Sequence, residues 1–153
     1  MEKWIRANYQ PCLPLGDNHS RITESAGHIA LSRTAACEAA VLLKNQNKVL
    51  PLSAGQKVAV FGKAQIDYVK GGGGSGDVTV SYVRNIYEGL KLKEDKVKVF
   101  DALSLFYKEY VERQYQNGEK NGRLAEPKIP EEILQSAAEF TDTAIITINR
   151  FSE

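Results

Sequence analysis

A chain of 153 residues, 42% apolar and 25% charged, has room for one domain with a buried core. Twenty basic residues against 19 acidic ones leave a formal charge of +1, which offers no positive field to nucleic acid or an anionic membrane. No apolar run has the length a bilayer requires, and neither the two cysteines nor the two histidines, His19 and His28, stand at metal-ligand spacing, so a metal site is not expected either.

Residues 1–22, with Pro11 and Pro14, read as a lead-in arm to a domain over 23–153. The opening Met1-Glu-Lys-Trp-Ile-Arg6 has no uninterrupted apolar core of the kind a secretory signal carries. Cys12 and Cys37 read as reduced thiols, and the expected location is the cytoplasm. A long helix is expected from about Thr23, capped by Thr23 or Ser25, with Ala26, Ile29, Ala30, Ala36, Ala40 and Leu43 as a small-residue face suited to close packing. Leu50-Pro51-Leu52 then turns the chain. Lys57–Gly62 is the first strand, and its Val58-Ala-Val-Phe61 run lacks polar alternation, as in a strand covered on both faces. Beyond a glycine-rich segment, Val80, Val83, Ile86, Tyr87 and Leu90 predict an amphipathic helix closing at Gly89 or soon after. Lys96–Phe100 is a second strand, and Leu103, Phe106, Tyr107, Tyr110 and Val111 mark another helix.

The polar stretch 114–130, with Asn117-Gly118, Asn121-Gly122, Pro127 and Pro130, reads as a loop or insertion long enough to have a functional role. Glu131–Phe140 resumes as a helix behind Pro130, and Thr143–Asn149 is the clearest buried strand. Strands alternating with helices define an α/β domain, a three-layer sandwich with a mostly parallel sheet flanked by helices. No helix follows the last strand, so the sandwich is expected to be incomplete at the C-terminus.

The segment Lys70-Gly-Gly-Gly-Gly-Ser-Gly-Asp77 is the most unusual in the chain. Glycine loses more backbone entropy on folding than any other residue, so four in succession suit a place where bare backbone must approach a ligand or another domain. Gly71, Gly73 and Gly76 satisfy GxGxxG, and Asp101 after the second strand is a candidate for a ribose hydroxyl. Against nucleotide binding, Lys63–Lys70 separates the first strand from the glycines, and Asp77 sets negative charge where phosphate would lie. A plain flexible linker is the bland alternative, with Lys63 and Lys70 on a solvated face and Asp77 capping the next helix. In parallel sheets, ligands sit outside the carboxyl ends of strands. If the strands Lys57–Gly62 and Thr143–Asn149 are neighbours, the loops Lys63–Asp77 and Asn149 onward line one crevice.

Six segments in order resemble the α/β sandwich domain of glycoside hydrolase family 3, the β-glucosidase family. They are Ala36-Cys-Glu-Ala-Ala-Val-Leu-Leu-Lys-Asn45, Leu50-Pro51-Leu52, Lys57–Gly62, Gly71-Gly-Gly-Gly-Ser-Gly-Asp-Val78, Tyr87-Glu-Gly-Leu90 and Asp142-Thr-Ala-Ile-Ile-Thr-Ile-Asn-Arg150. The resemblance implies retaining hydrolysis of a terminal β-D-glucoside, in which one carboxylate is nucleophile and another is acid, then base. It implies a nucleophile on a separate (β/α)8 barrel domain, which this chain lacks, so the chain alone is expected to be inactive. Ser75, with Gly74 and Gly76, is implied to contact sugar, and no cofactor or metal is implied. The acid/base is implied in the loop after Arg150, where the family pattern is Arg-x-Ser, a small residue, then Glu. Strict alignment sets Glu153 one residue before it, and a one-residue shortening makes Glu153 the acid itself. The implied partners are a β-glucoside or oligosaccharide and the barrel domain, with self-association through an unfinished sheet as a further expectation. A non-catalytic carbohydrate-binding or interaction module is the alternative.

Overall fold

Val58, Ala59 and Val60 are at most 2% exposed, and the strand around them, β1 (Gln56–Phe61), is the centre of the fold. The computed structural model describes residues 25–71, 80 and 82–150 and divides the chain into two units, Met1–Asn47 and Lys48–Glu153.

In the first unit, α1 runs from Ala26 to Glu38. Ser25 is its cap, its hydroxyl accepting a hydrogen bond from the His28 N–H at 3.2 Å. The helix is shorter than expected, with Ala40 and Leu43 beyond its end, and none of its residues is buried. Alanine favours helix by its own propensity, without a packing partner, so a run of alanines is weak evidence for a buried face.

In the second unit, Leu50–Pro51 is a cis peptide and the chain then enters β1. Helix α2 (Ile86–Lys91), strand β2 (Val97–Val99), helix α3 (Asp101–Gln116), helix α4 (Glu131–Phe140) and strand β3 (Ala144–Ile146) follow. The sheet order is β2-β1-β3, with both pairings parallel. The register sets Gln56 beside Val97 on one side and Ala59 beside Ala144 on the other.

Successive side chains of a strand point to opposite faces, and β1 uses both. Val58 and Val60 pack with Val99, Leu52, Tyr87, Leu90 and Ile145 on the α2 side. Ala59 packs with Leu103, Tyr107 and Ala137 beneath α3 and α4, with Phe61, Phe100 and Ile133 around them. Burying a side chain the size of Leu103 contributes about 1.5–3 kcal/mol, so these two clusters hold the three layers together.

Helix α2 begins six residues later than the Val80 stripe predicts. Asn85 accepts from the Glu88 N–H at 2.8 Å while the Glu88 carboxylate accepts from the Asn85 N–H at 3.2 Å, and this reciprocal pair fixes the start. Val80 and Val83 precede it and are exposed, and Asn85, not Asp77, is the cap. Gly89 lies inside the helix.

Strand β3 departs most from expectation. Exposure alternates along it, and Ile146 and Ile148 are 72% and 83% exposed. It has one strand neighbour, β1, and α4 packs over β1, so nothing among the described residues covers that face of β3. A shallow apolar groove lined by Phe61, Leu134, Ala137, Ala138 and Ala144 runs along the junction.

Candidate functional site

The crossover leaving β1 covers one face of the sheet with α2, and the crossover arriving at β3 covers the other with α3 and α4. β1 and β3 are parallel neighbours, so their carboxyl ends open side by side where an α/β fold binds ligands. Beyond the ladder, Thr147 N donates to the Phe61 carbonyl at 2.8 Å, and the Thr147 hydroxyl lies within 2.9 Å of the Phe61 and Gly62 carbonyls. Gly62 occupies the left-handed region at φ 93°, with the Thr147 backbone so close that no side chain fits.

After Gly62 a single 3-10 turn, Lys63–Gln65, carries the chain to Asp67. Gln65 is buried, its amide spanning the Val60 carbonyl and the Ser104 hydroxyl. Asp67 is wholly buried, and both carboxylate oxygens are engaged. Oδ2 accepts from Lys63 Nζ at 2.8 Å. Oδ1 accepts from the Tyr115 hydroxyl, from Asn121 Nδ2 at 2.8 Å and from Gly122 N at 3.1 Å. Asn121 also reaches the Tyr68 carbonyl at 3.2 Å. The Asp67 carbonyl in turn accepts from Asn149 Nδ2 at 2.8 Å. One buried residue thus ties together the segment leaving β1, the end of α3 with the turn after it, and the exit of β3.

A second tie runs through Tyr107. Its hydroxyl accepts from Gly62 N at 3.0 Å and donates to Glu126 Oε1 at 2.7 Å, while Glu126 Oε2 accepts from Lys63 N at 3.1 Å. Helix α3 runs on to Gln116, so the polar segment begins slightly later than expected, and it packs back against the end of β1.

Burial, and then the neighbouring carboxylates, raise the pKa of both tyrosines, Tyr115 to about 12 and Tyr107 further. A free tyrosine ionises near pH 10, so the folded state keeps two protons that the unfolded chain has released. Their contribution to stability is complete below about pH 10 and is lost as pH rises through the folded values. Thermal midpoints measured from pH 8 to 11.5 are expected to fall above pH 10, and less steeply in Tyr107→Phe.

The sequence places its candidate sugar contacts at Ser75, Gly74 and Gly76 and its candidate acid at Glu153, and all four lie outside the described residues, as does Asp77. Lys63 is not on a solvated face: its side chain is 11% exposed and is paired with Asp67. Asp101 is not positioned for a ribose, because its carboxylate takes the Tyr87 hydroxyl and the Lys91 ammonium, each at 3.0 Å. With α2 starting at Ile86, its N-terminus is also remote in sequence from the glycines, which argues against the dinucleotide fingerprint. Asp67, Tyr115, Asn121 and Asn149 are the residues that sequence reasoning overlooked. Their one advance signal is the Lys63/Asp67 spacing of four just beyond a strand.

Around the crevice, the described carboxylates are committed: Asp67 and Glu126 hold donors of the fold on both oxygens. No cluster of three metal-ligating side chains occurs among the described residues. The local chemistry is that of a scaffold that presents two loops, with polar groups consumed in fixing where those loops begin.

A parallel sheet with this scaffold defines an α/β domain that presents loops at the ends of two adjacent strands. The model of the glycosyl hydrolase family 3 C-terminal domain matches residues 40–153, and the chain belongs to that family. It is 56% identical over 152 residues to β-glucosidase A of Butyrivibrio fibrisolvens, covering 99% of this chain and 18% of that protein. Over 126 residues it is 44% identical to a β-glucosidase of Ruminococcus albus, covering 74% of this chain and 12% of that one. Among solved structures, β-glucosidase 3B of Thermotoga neapolitana in complex with α-D-glucose superposes with a TM-score of 0.71 at 33% identity, covering 88% of this chain and 19% of that one. A β-glucosidase of Paenibacillus barengoltzii gives a TM-score of 0.74 at 34% identity, covering 86% of this chain and 15% of that one. The chain spans less than a fifth of the length of each.

Proposed function

We propose that this chain is part of a retaining β-glucosidase that hydrolyses terminal β-D-glucosides, and that it supplies the substrate-side glycine-rich loop and the strand leading to the acid/base. The observation that carries this reading is the adjacency of the β1 and β3 exits, tied by Asn149 to Asp67, in a chain of family 3. Both loops then start at one crevice. Ser75 hydrogen-bonds the sugar, Gly74 and Gly76 let the backbone approach it, and Glu153 or the residue after it is the acid/base. The nucleophile comes from a barrel domain elsewhere in the enzyme, because two carboxylates on opposite sides of the bond are required. The exposed face of β3, with Ile146 and Ile148, is covered by the rest of the enzyme in preference to a second copy of this chain. The exposed, unpaired thiol of Cys37 suits a reducing cytoplasm.

The test compares the isolated chain with the whole enzyme on an aryl β-glucoside. Turnover is expected from the whole enzyme and none from the chain alone. Turnover by the chain alone that is abolished by Glu153→Gln, or a whole enzyme inert towards β-glucosides, overturns the reading.

A further inference from the structure

Asn149 is half-buried at the exit of β3, two positions beyond the last ladder bond to β1. Its amide donates at 2.8 Å to the carbonyl of Asp67, 82 residues earlier in the chain. That carbonyl does not drift, because the Asp67 side chain is wholly buried and held by Lys63, Tyr115, Asn121 and Gly122. The acceptor is therefore a fixed point of the scaffold. Asn149 is the last described side chain with a hydrogen bond to it before the chain leaves β3. Beyond Thr147, backbone pairing with β1 has ended and Ile148 is 83% exposed, so the amide replaces the ladder as the tether of the exit.

We propose that Asn149 is a positioning residue: its bond to the Asp67 carbonyl fixes the direction in which the chain leaves β3 and hence the placement of the acid/base that follows Arg150. This rests on the β-glucosidase reading and deepens it. A misplacement of about 1 Å in a proton-transferring group lowers the rate by about a hundredfold, so one tether at the root of the loop suffices to matter. The loss falls on steps that need the proton. Departure of an aliphatic alcohol requires general-acid help, whereas 2,4-dinitrophenolate leaves without it.

The test uses the whole enzyme, with Asn149→Ala, the near-isosteric Asn149→Asp, which has no amide donor, and Asn149→Gln, which keeps one. For the Ala and Asp variants, kcat/KM on an alkyl β-glucoside is expected to fall about tenfold to a hundredfold, with the value on 2,4-dinitrophenyl β-glucoside within about threefold of the parent. The basic limb of the pH–kcat/KM profile is expected to move, and Asn149→Gln to recover part of the loss. A merely structural side chain gives an equal fall on both substrates with an unmoved pH profile, and that result overturns the proposal, as does no fall on either. If the parent enzyme hydrolyses neither glucoside, the β-glucosidase reading itself fails and this inference falls with it. If the parent is active and the variants lose both activities alike, only the role of Asn149 fails.

Discussion

Replacing Asp67 by alanine is expected to destabilise the domain by about 3–5 kcal/mol, because it removes one partner of a buried ion pair and leaves the other behind. The Lys63 side chain is 11% exposed and has Asp67 as its counter-ion at 2.8 Å, so the substitution leaves a largely buried lysine without it. Tyr115, Asn121 and the Gly122 N–H lose the same acceptor. Asp67→Asn separates the two effects. Its amide oxygen still serves the donors on the Oδ1 side, while its NH2 faces Lys63, so the expected cost is smaller, about 1–3 kcal/mol. Urea unfolding with unchanged m-values is the measurement. A loss under about 1 kcal/mol for Asp67→Ala would mean that water replaces the carboxylate in solution and that the cluster does not anchor the loops.

The sheet and its hub differ in how plainly the chain announces them. Val58-Ala-Val-Phe61 predicts a strand covered on both faces, and β1 is that strand, because a continuous apolar run has only one place in a parallel sheet. The same logic applied to Thr143–Asn149 predicts a buried strand, and the observed β3 is only Ala144–Ile146 and is exposed on alternate residues. Apolar runs report what a segment is suited to pack against, not whether the described residues supply it. Helix α2 shows a local signal overriding periodicity: Val80 and Val83 fall in phase with Ile86 and Leu90, but the Asn85/Glu88 capping box decides where the helix starts. Of the site, the sequence marks the carboxyl ends of two strands but leaves their adjacency open, and the order β2-β1-β3 supplies it. Asp67 is not, since its partners Tyr115 and Asn121 lie 48 and 54 residues away and each, read singly, is an ordinary polar residue of a helix end or a turn.

Gly62→Ala is expected to be as damaging as loss of the buried carboxylate, for a reason that involves no charge. At φ 93° and ψ 134°, Gly62 sits in a region that L residues avoid, which costs an alanine about 1–3 kcal/mol by itself. A Cβ there would lie 2.3 Å from the Thr147 carbonyl oxygen and 2.7 Å from its hydroxyl, so β3 must move away from β1. That movement endangers the bonds from Thr147 to Phe61 and Gly62, each contributing about 1 kcal/mol, and the total expected loss is about 3–5 kcal/mol. Gly118 supplies the control within the same chain. Its φ of 89° is nearly the same, but nothing lies within 4 Å of the position its Cβ would take. Gly118→Ala therefore reports the strain of a positive φ without a clash, about 1–2 kcal/mol, and the excess at Gly62 combines the close approach of the strands with the strain particular to ψ 134°. Equal losses at the two positions would show that β3 yields freely at Thr147. A clear excess at Gly62 means that β1 and β3 meet at a rigid point, beside which Asn149 and Asp67 tie the exits of the two strands together.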